Sequence, residues 1–230
     1  MKTIRAQGQE IYLIENPEVF SPSATTILML DSISIIAGET VCDVGTGTGV
    51  LGIMAAKLGA KTVTFVDKDS AALEIANQNI QKNNISDFKL ILSELFAGVQ
   101  GKYDVIIANL PQLPIAPDNE MNIKPKDNGG REKGNALVLQ FLGEAKEHLN
   151  EKGRIYIPVF GISSKQETMK MVNKIYHSTV IKTKKVQIKS DPVILQNLEH
   201  IYRLRDTGYA ELFMDGNVQY FKVSILKLVL

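Results

Sequence analysis

Thr40-Val41-Cys42-Asp43-Val44-Gly45-Thr46-Gly47-Thr48-Gly49-Val50 is the stretch on which the fold turns. Its first five residues read as a short buried strand. Val50–Leu58 then carries apolar residues at helical spacing and stops at Gly59. Glycines between a strand and a helix let the backbone turn sharply and let a ligand lie against it without Cβ interference. A dinucleotide fingerprint, G-x-G-x-x-G, would place its third glycine at position 50, which is Val50. The observed G-x-G-x-G, with Asp43 two positions earlier, suits a cationic ligand head group, and Asp43 would repel a phosphate.

On either side, strands and helices alternate. Thr62–Val66, Phe88–Leu92, Tyr103–Ala108 and Arg154–Val159 read as strands, and Ser70–Gln81 and Asn135–Leu149 as helices. Tyr103–Ala108 is apolar on both faces, as a central parallel strand would be. Pro22–Ile36 reads as a helix before this series. After it come a helix at Ser163–His177, a strand at Val180–Ile188 with lysines facing out, and a helix at Pro192–Arg205. A hairpin of Tyr209–Met214 and Gln219–Val229 turns at Asp215-Gly216. The expected class is α/β: a doubly wound, mostly parallel, seven-stranded Rossmann-like sheet with an antiparallel C-terminal hairpin. Residues 1–37 form an N-terminal strand/helix segment. Residues 38–230 form the ligand-binding domain, with a C-terminal extension at about 190–218.

Two positions at strand ends carry candidate chemistry. Asp67 closes the second strand of the series, 18 residues after Gly49, where a carboxylate can accept both hydroxyls of a ribose. Asp69 serves better as the cap of the next helix. Asn109-Leu110-Pro111-Gln112-Leu113-Pro114 follows the fourth strand, and ligands of open α/β sheets bind beyond the carboxyl ends of strands. An Asn carboxamide oxygen and a backbone carbonyl can accept the two hydrogens of an NH₂ group and so aim its lone pair. Pro111 fixes φ and stiffens the segment. In isolation the same residues would read as an ordinary strand-end turn; their place in this sheet gives them the functional reading.

Val41–Val50 and Phe65-Val-Asp-Lys-Asp69 resemble motifs of class I S-adenosylmethionine-dependent methyltransferases, over roughly residues 15–160. Asn109–Pro114 resembles the Asn-Pro-Pro-Tyr-x-Pro motif of release-factor glutamine methyltransferases. Glu18-Val-Phe-Ser-Pro22-Ser-Ala-Thr-Thr26 is similar to that family's entry helix, and Gly129-Gly-Arg-Glu-Lys-Gly134 to its glycine segment. The resemblance implies S-adenosylmethionine as cofactor, touched by Thr26, Asp43, Gly45, Thr46, Gly47, Gly49, Asp67, Leu95 and Asn109. It places Asn109, Leu110, Pro111 and Gln112 at the reacting centre. Two departures stand out: Leu110 replaces the first proline, and Gln112 replaces the aromatic residue that packs on a flat acceptor.

An amide at position 112 and near-neutral charge favour a nitrogen of a small metabolite or peptide as acceptor. A protein glutamine and an RNA base are the alternatives. A non-catalytic S-adenosylmethionine-binding protein is the reading from another class, opposed by intact Asn109 and Pro111; Val50 and the hairpin ending oppose a nicotinamide dehydrogenase. The net charge of +1 argues against a long phosphate backbone as partner, although Lys165–Lys189 is lysine-rich. Cys42, the single cysteine, reads as an inert core thiol. His148, His177 and His200 are scattered, so no metal site is expected. With no signal pattern and no apolar run near the roughly 20 residues that span a bilayer, a cytoplasmic protein without a membrane partner is expected. Pro111–Gly134 is long enough to be expected as a lid.

Overall fold

The computed structural model describes residues 1–14, 16–122 and 130–230. A hairpin opens the chain: β1 (Lys2–Ala6) pairs antiparallel with β2 (Gln9–Leu13) around Gln7-Gly8. Ile4, Ala6, Ile11 and Leu13 are its buried residues, one side chain in two, as a half-buried strand requires. The Gln7 amide donates to the carbonyls of Leu30 and Ile33. It thereby satisfies the end of α1 (Ala24–Leu30). That helix is shorter than Pro22–Ile36 because Ser23 caps it: Ser23 Oγ accepts from Thr26 N, and Ser23 N donates to Thr26 Oγ1.

The alternating series follows as β3 (Thr40–Val44), α2 (Val50–Lys57), β4 (Thr62–Asp67), α3 (Ser70–Lys82), β5 (Phe88–Leu92) and β6 (Tyr103–Ala108). Asp69 caps α3 by accepting from Ala71 N. A 3-10 turn at Pro117–Asn122, α4 (Ala136–Ala145) and a second 3-10 turn lead to β7 (Leu149–Phe160). Glu151-Lys152-Gly153 falls at a register shift inside β7, opposite Tyr103 and Val105. Then come α5 (Lys165–Ile175), β8 (His177–Gln187), α6 (Pro192–Gln196), α7 (Leu198–Asp206), β9 (Phe213–Asp215) and β10 (Val218–Val229). The single helix expected over Pro192–Arg205 breaks at Asn197, whose buried Oδ1 accepts from Ala116 N while its Nδ2 bonds the Val193 carbonyl.

The strands hydrogen-bond in the order β5-β4-β3-β6-β7-β10-β8, and β9 pairs antiparallel with β10, making eight rather than seven among the described residues. The β5-β4, β4-β3, β3-β6 and β6-β7 pairs are parallel. Two compact units divide the chain. One comprises Met1–Asn109, Glu144–Ile157 and Lys227–Leu230; the other comprises Leu110–Gly143 and Pro158–Leu226.

The first unit holds the parallel strands β3 to β6. At their starting ends a set of side chains ties them together. Asp104 Oδ2 accepts from Thr40 N and Oγ1 at 2.9 and 2.8 Å, and its Oδ1 accepts from Asn150 at 2.7 Å. Beside them the Arg154 guanidinium grips both oxygens of Glu39 at 2.7 Å, with the Arg154 side chain only 8% exposed. No helix among the described residues is long and apolar enough to cross a membrane.

Candidate functional site

The glycine turn is shaped by its own chain. Gly45 N and Thr46 N donate to the Val66 carbonyl at 2.8 and 3.0 Å, and Gly47 N to Asp67 Oδ2 at 2.9 Å. Three consecutive amides are thus engaged at the end of β4, so this turn is not an open nest for a phosphate. Gly47 has φ +53°, and a Cβ there would meet nothing closer than the Phe20 carbonyl at 3.9 Å; the surface beside it is open. Gly49 has φ +81° and lies against α3, where a Cβ would come to 3.3 Å from the Ala76 methyl. One glycine leaves room for a ligand, and the other lets two helices meet.

Asp43 lies beneath the turn, almost fully buried. Its Oδ2 accepts from Thr46 Oγ1 at 2.6 Å and from Gly52 N at 2.9 Å, while Oδ1 has no hydrogen-bond partner among the described residues. Burial pushes this carboxyl up to about 6, against the opposing effect of those two donors. A buried oxygen without a donor, under a turn of uncharged backbone, fits a positively charged ligand group. Asp67 is half-buried. Burial raises its pKa, while the N–H groups of Gly47 and Asp69 pull it back. Each of its oxygens holds one backbone donor and keeps a lone pair for another, the acceptor set a vicinal diol needs.

Leu95, in the loop after β5, is buried and has φ +46°, a conformation that costs a non-glycine residue about 1 kcal/mol or more. The loop is anchored where Ser93 N donates to the Asp67 carbonyl. Thr26 and Asn109, 83 residues apart in the chain, meet as Asn109 Nδ2 donates to Thr26 Oγ1 at 3.1 Å. Thr26 Oγ1 is already fixed by the cap of α1, so it fixes the Asn109 carboxamide in turn. The bond to Thr26 engages the nitrogen of the carboxamide and not its Oδ1. Thr26, Asp43, the glycine turn, Asp67, Leu95 and Asn109 therefore all belong to the first unit; of these, the partnerless Asp43 Oδ1 and the acceptor pair of Asp67 are what fit a cationic, diol-bearing cofactor.

In the second unit, Leu110 is buried and Gln112 is 3% exposed. Gln112 Nε2 donates to the Pro158 carbonyl at 2.9 Å, and the Ser163 hydroxyl donates to the Gln112 carbonyl. Gly134 backs this segment so closely that a Cβ would stand 2.7 Å from the Gln112 carbonyl oxygen. Of the expected lid, Pro111–Gly134, residues 123–129 lie outside the described residues. Cys42 is fully buried and its thiol is held well above its ordinary range by burial. Among the described residues there is no group of three or more His, Cys, Asp or Glu able to hold a metal ion.

Two residues were missed in the sequence. A Cβ on Gly52 would stand 2.3 Å from the Phe65 ring, so α2 approaches β4 only because that position is glycine. Asn79 is fully buried on the inner face of α3. Its signal was a polar residue in phase with Ala72, Ile75, Ala76 and Ile80.

Residues 23–118 match the family model described as ribosomal protein L11 methyltransferase (PrmA). A Methanocaldococcus jannaschii protein, inferred to be a protein N5-glutamine methyltransferase, is 32% identical over 168 residues, 72% of this chain and 83% of that one. The Thermotoga maritima ribosomal protein L11 methyltransferase is 45% identical over 114 residues, 49% of this chain and 40% of that one. The chain spans from 28% to 52% of the L11 methyltransferases it matches. Among solved structures, the T. thermophilus 16S rRNA N2 methyltransferase, determined with S-adenosylmethionine and guanosine, shares the fold. Its TM-score is 0.61 at 18% identity, covering 79% of this chain and 47% of that one.

Proposed function

The chain belongs to the class I S-adenosylmethionine-dependent methyltransferases, and on that premise we propose that it methylates the side-chain amide nitrogen of a glutamine in a protein. S-adenosylmethionine is the methyl donor; bound, it supplies a methyl group on a positively charged sulfur that leaves readily. Asp67 would receive the ribose hydroxyls, Leu95 would line the adenine, and Asp43 with the turn at Gly45, Thr46, Gly47 and Gly49 would receive the charged head group.

The observation that carries the acceptor is the fixed carboxamide of Asn109. Its nitrogen is held by Thr26, which leaves Oδ1 to accept one hydrogen of an incoming NH₂ group. An amide nitrogen is a weak nucleophile because its lone pair is delocalised, so alignment is what the protein has to contribute. Asn109–Pro114 contains no titratable side chain, and the proton lost from nitrogen goes to solvent.

The sequence's preference for a small metabolite or peptide acceptor rested on near-neutral charge, on the tail and on an amide offered by Gln112, and the Nε2 of that amide donates to the Pro158 carbonyl. The named activity of the archaeal relative supports the glutamine reading.

The test is methyl transfer from labelled S-adenosylmethionine to release factor, ribosomal protein L11, total RNA and a low-molecular-weight extract. Products are mapped for a mass gain of one CH₂. Label on a glutamine side chain is the expected result; label confined to RNA or to small molecules would refute it.

A further inference from the structure

Helix α3 turns two buried asparagines toward the N-terminal strand. Asn79 Oδ1 accepts the N–H of Ile14 at 2.6 Å, and its Nδ2 donates to the Ile14 carbonyl at 3.3 Å. Asn83, one helical turn on, treats Tyr12 the same way: Oδ1 accepts Tyr12 N at 3.0 Å and Nδ2 donates to Tyr12 O at 2.7 Å. A primary amide presents a donor and an acceptor side by side. Two of them four residues apart on one helix face stand in for a neighbouring strand at Tyr12 and Ile14.

The two asparagines differ in where the remaining hydrogen bond goes. Asn83 Nδ2 bonds the Asn79 carbonyl within the helix at 2.8 Å. Asn79 Nδ2 reaches the Thr48 carbonyl at 2.9 Å, inside the glycine turn. Further along the entry segment, Val19 clusters with Ala72 and Ile75 of α3. The Phe20 carbonyl then passes beside Gly47, before Thr26 meets Asn109.

We propose that Asn79 is a positioning residue that couples the entry segment to the shape of the glycine turn, so that cofactor binding and docking of that segment reinforce each other. A single side chain bonded to both elements transmits a change in either, and such coupling is reciprocal. The proposal rests on the glycine turn being the cofactor's cradle.

The test combines calorimetric titration of S-adenosylmethionine with amide hydrogen exchange. Asn79→Asp keeps the acceptor for Ile14 N–H but sets an oxygen against the Thr48 carbonyl. It should weaken cofactor binding roughly tenfold or more. Asn83→Ala, which removes the Tyr12 bracket and the bond to the Asn79 carbonyl but leaves the bond to Thr48 in place, should stay within about threefold. In the unmodified protein, S-adenosylmethionine should slow exchange at the Ile14 amide more than at Tyr12.

Unchanged affinity in Asn79→Asp, or an equal loss in Asn83→Ala, overturns the coupling. If Asn79→Asp does not fold, the exchange measurement decides alone, and equal or absent slowing at Ile14 overturns it. Asp67→Ala separates the two levels: normal affinity there would sink the cradle reading itself, whereas weakened affinity beside a normal Asn79→Asp would sink only the coupling.

Discussion

Replacing Asp43 with asparagine should make the cofactor-free protein more stable while weakening its hold on S-adenosylmethionine. The Asp43 carboxyl titrates near 3.8 in an unfolded chain and at about 6 in the folded one, because burial disfavours its charge. Between those values the folded state binds the extra proton. Stability therefore falls as pH rises from about 4 to about 6, and the whole penalty is present above 6. The gap, 6 minus 3.8, corresponds to about 3 kcal/mol at pH 7 and to about half that at pH 5. The carboxamide of the Asp43→Asn variant would keep an oxygen for Thr46 and Gly52, remove the charge, and place an NH₂ where Oδ1 has no partner. Asp43→Asn should gain up to about 3 kcal/mol in urea unfolding at pH 7, shrinking to roughly half at pH 5. The same change deprives a cationic ligand group of its counter-charge, so calorimetry should show weaker cofactor binding. A variant less stable than the parent at pH 7, or with the same gain at both pH values, would refute the reasoning.

Asp67→Ala should lose roughly 1.5–3 kcal/mol of cofactor affinity, the worth of charge-assisted hydrogen bonds; equilibrium binding of the folded variant checks this. Asn109→Ala should bind cofactor within a few-fold yet turn over about 10² times more slowly, and single-turnover methyl transfer with normal rates would remove it from the reaction. Gly52→Ala forces a methyl into the Phe65 ring and should destabilise by about 1–3 kcal/mol, read as a lower urea midpoint; an unshifted midpoint would mean α2 moves aside freely.

The parallel strands were legible because a strand buried on both faces is written as a nearly continuous apolar run: Tyr103–Ala108, interrupted only by Asp104, begins and ends where the sequence places it. The glycine turn was legible because little but glycine adopts the positive φ of Gly47 and Gly49 between a strand and a helix. The opening hairpin was passed over because Lys2–Leu13 is polar at every second position and its turn is Gln7-Gly8 rather than Asn-Gly. The sequence could not name the partners of Asn197 and Asn79, because each amide serves backbone groups more than 60 residues away, at Ala116 and at Ile14. Gln112 was read as a hydrogen-bonding residue, and its Nε2 donates to the Pro158 carbonyl of its own chain.

The tie at the starting ends of β3, β6 and β7 has a consequence for the order in which the protein assembles. Parallel strands have no tight hairpin to set their alignment, and Thr40 meets Asp104 across 64 residues, Arg154 meets Glu39 across 115. Closing loops of that length is entropically costly and slow. The tie therefore belongs to the last contacts made and the first that must break. Asp104→Ala should accelerate unfolding in stopped-flow experiments while leaving the folding limb almost unchanged; an equal loss in the folding rate would place the tie in the nucleus instead. A protein latched in this way persists by the slowness of its opening, and the latch sits at the opposite end of the strands from Asp67 and the glycine turn.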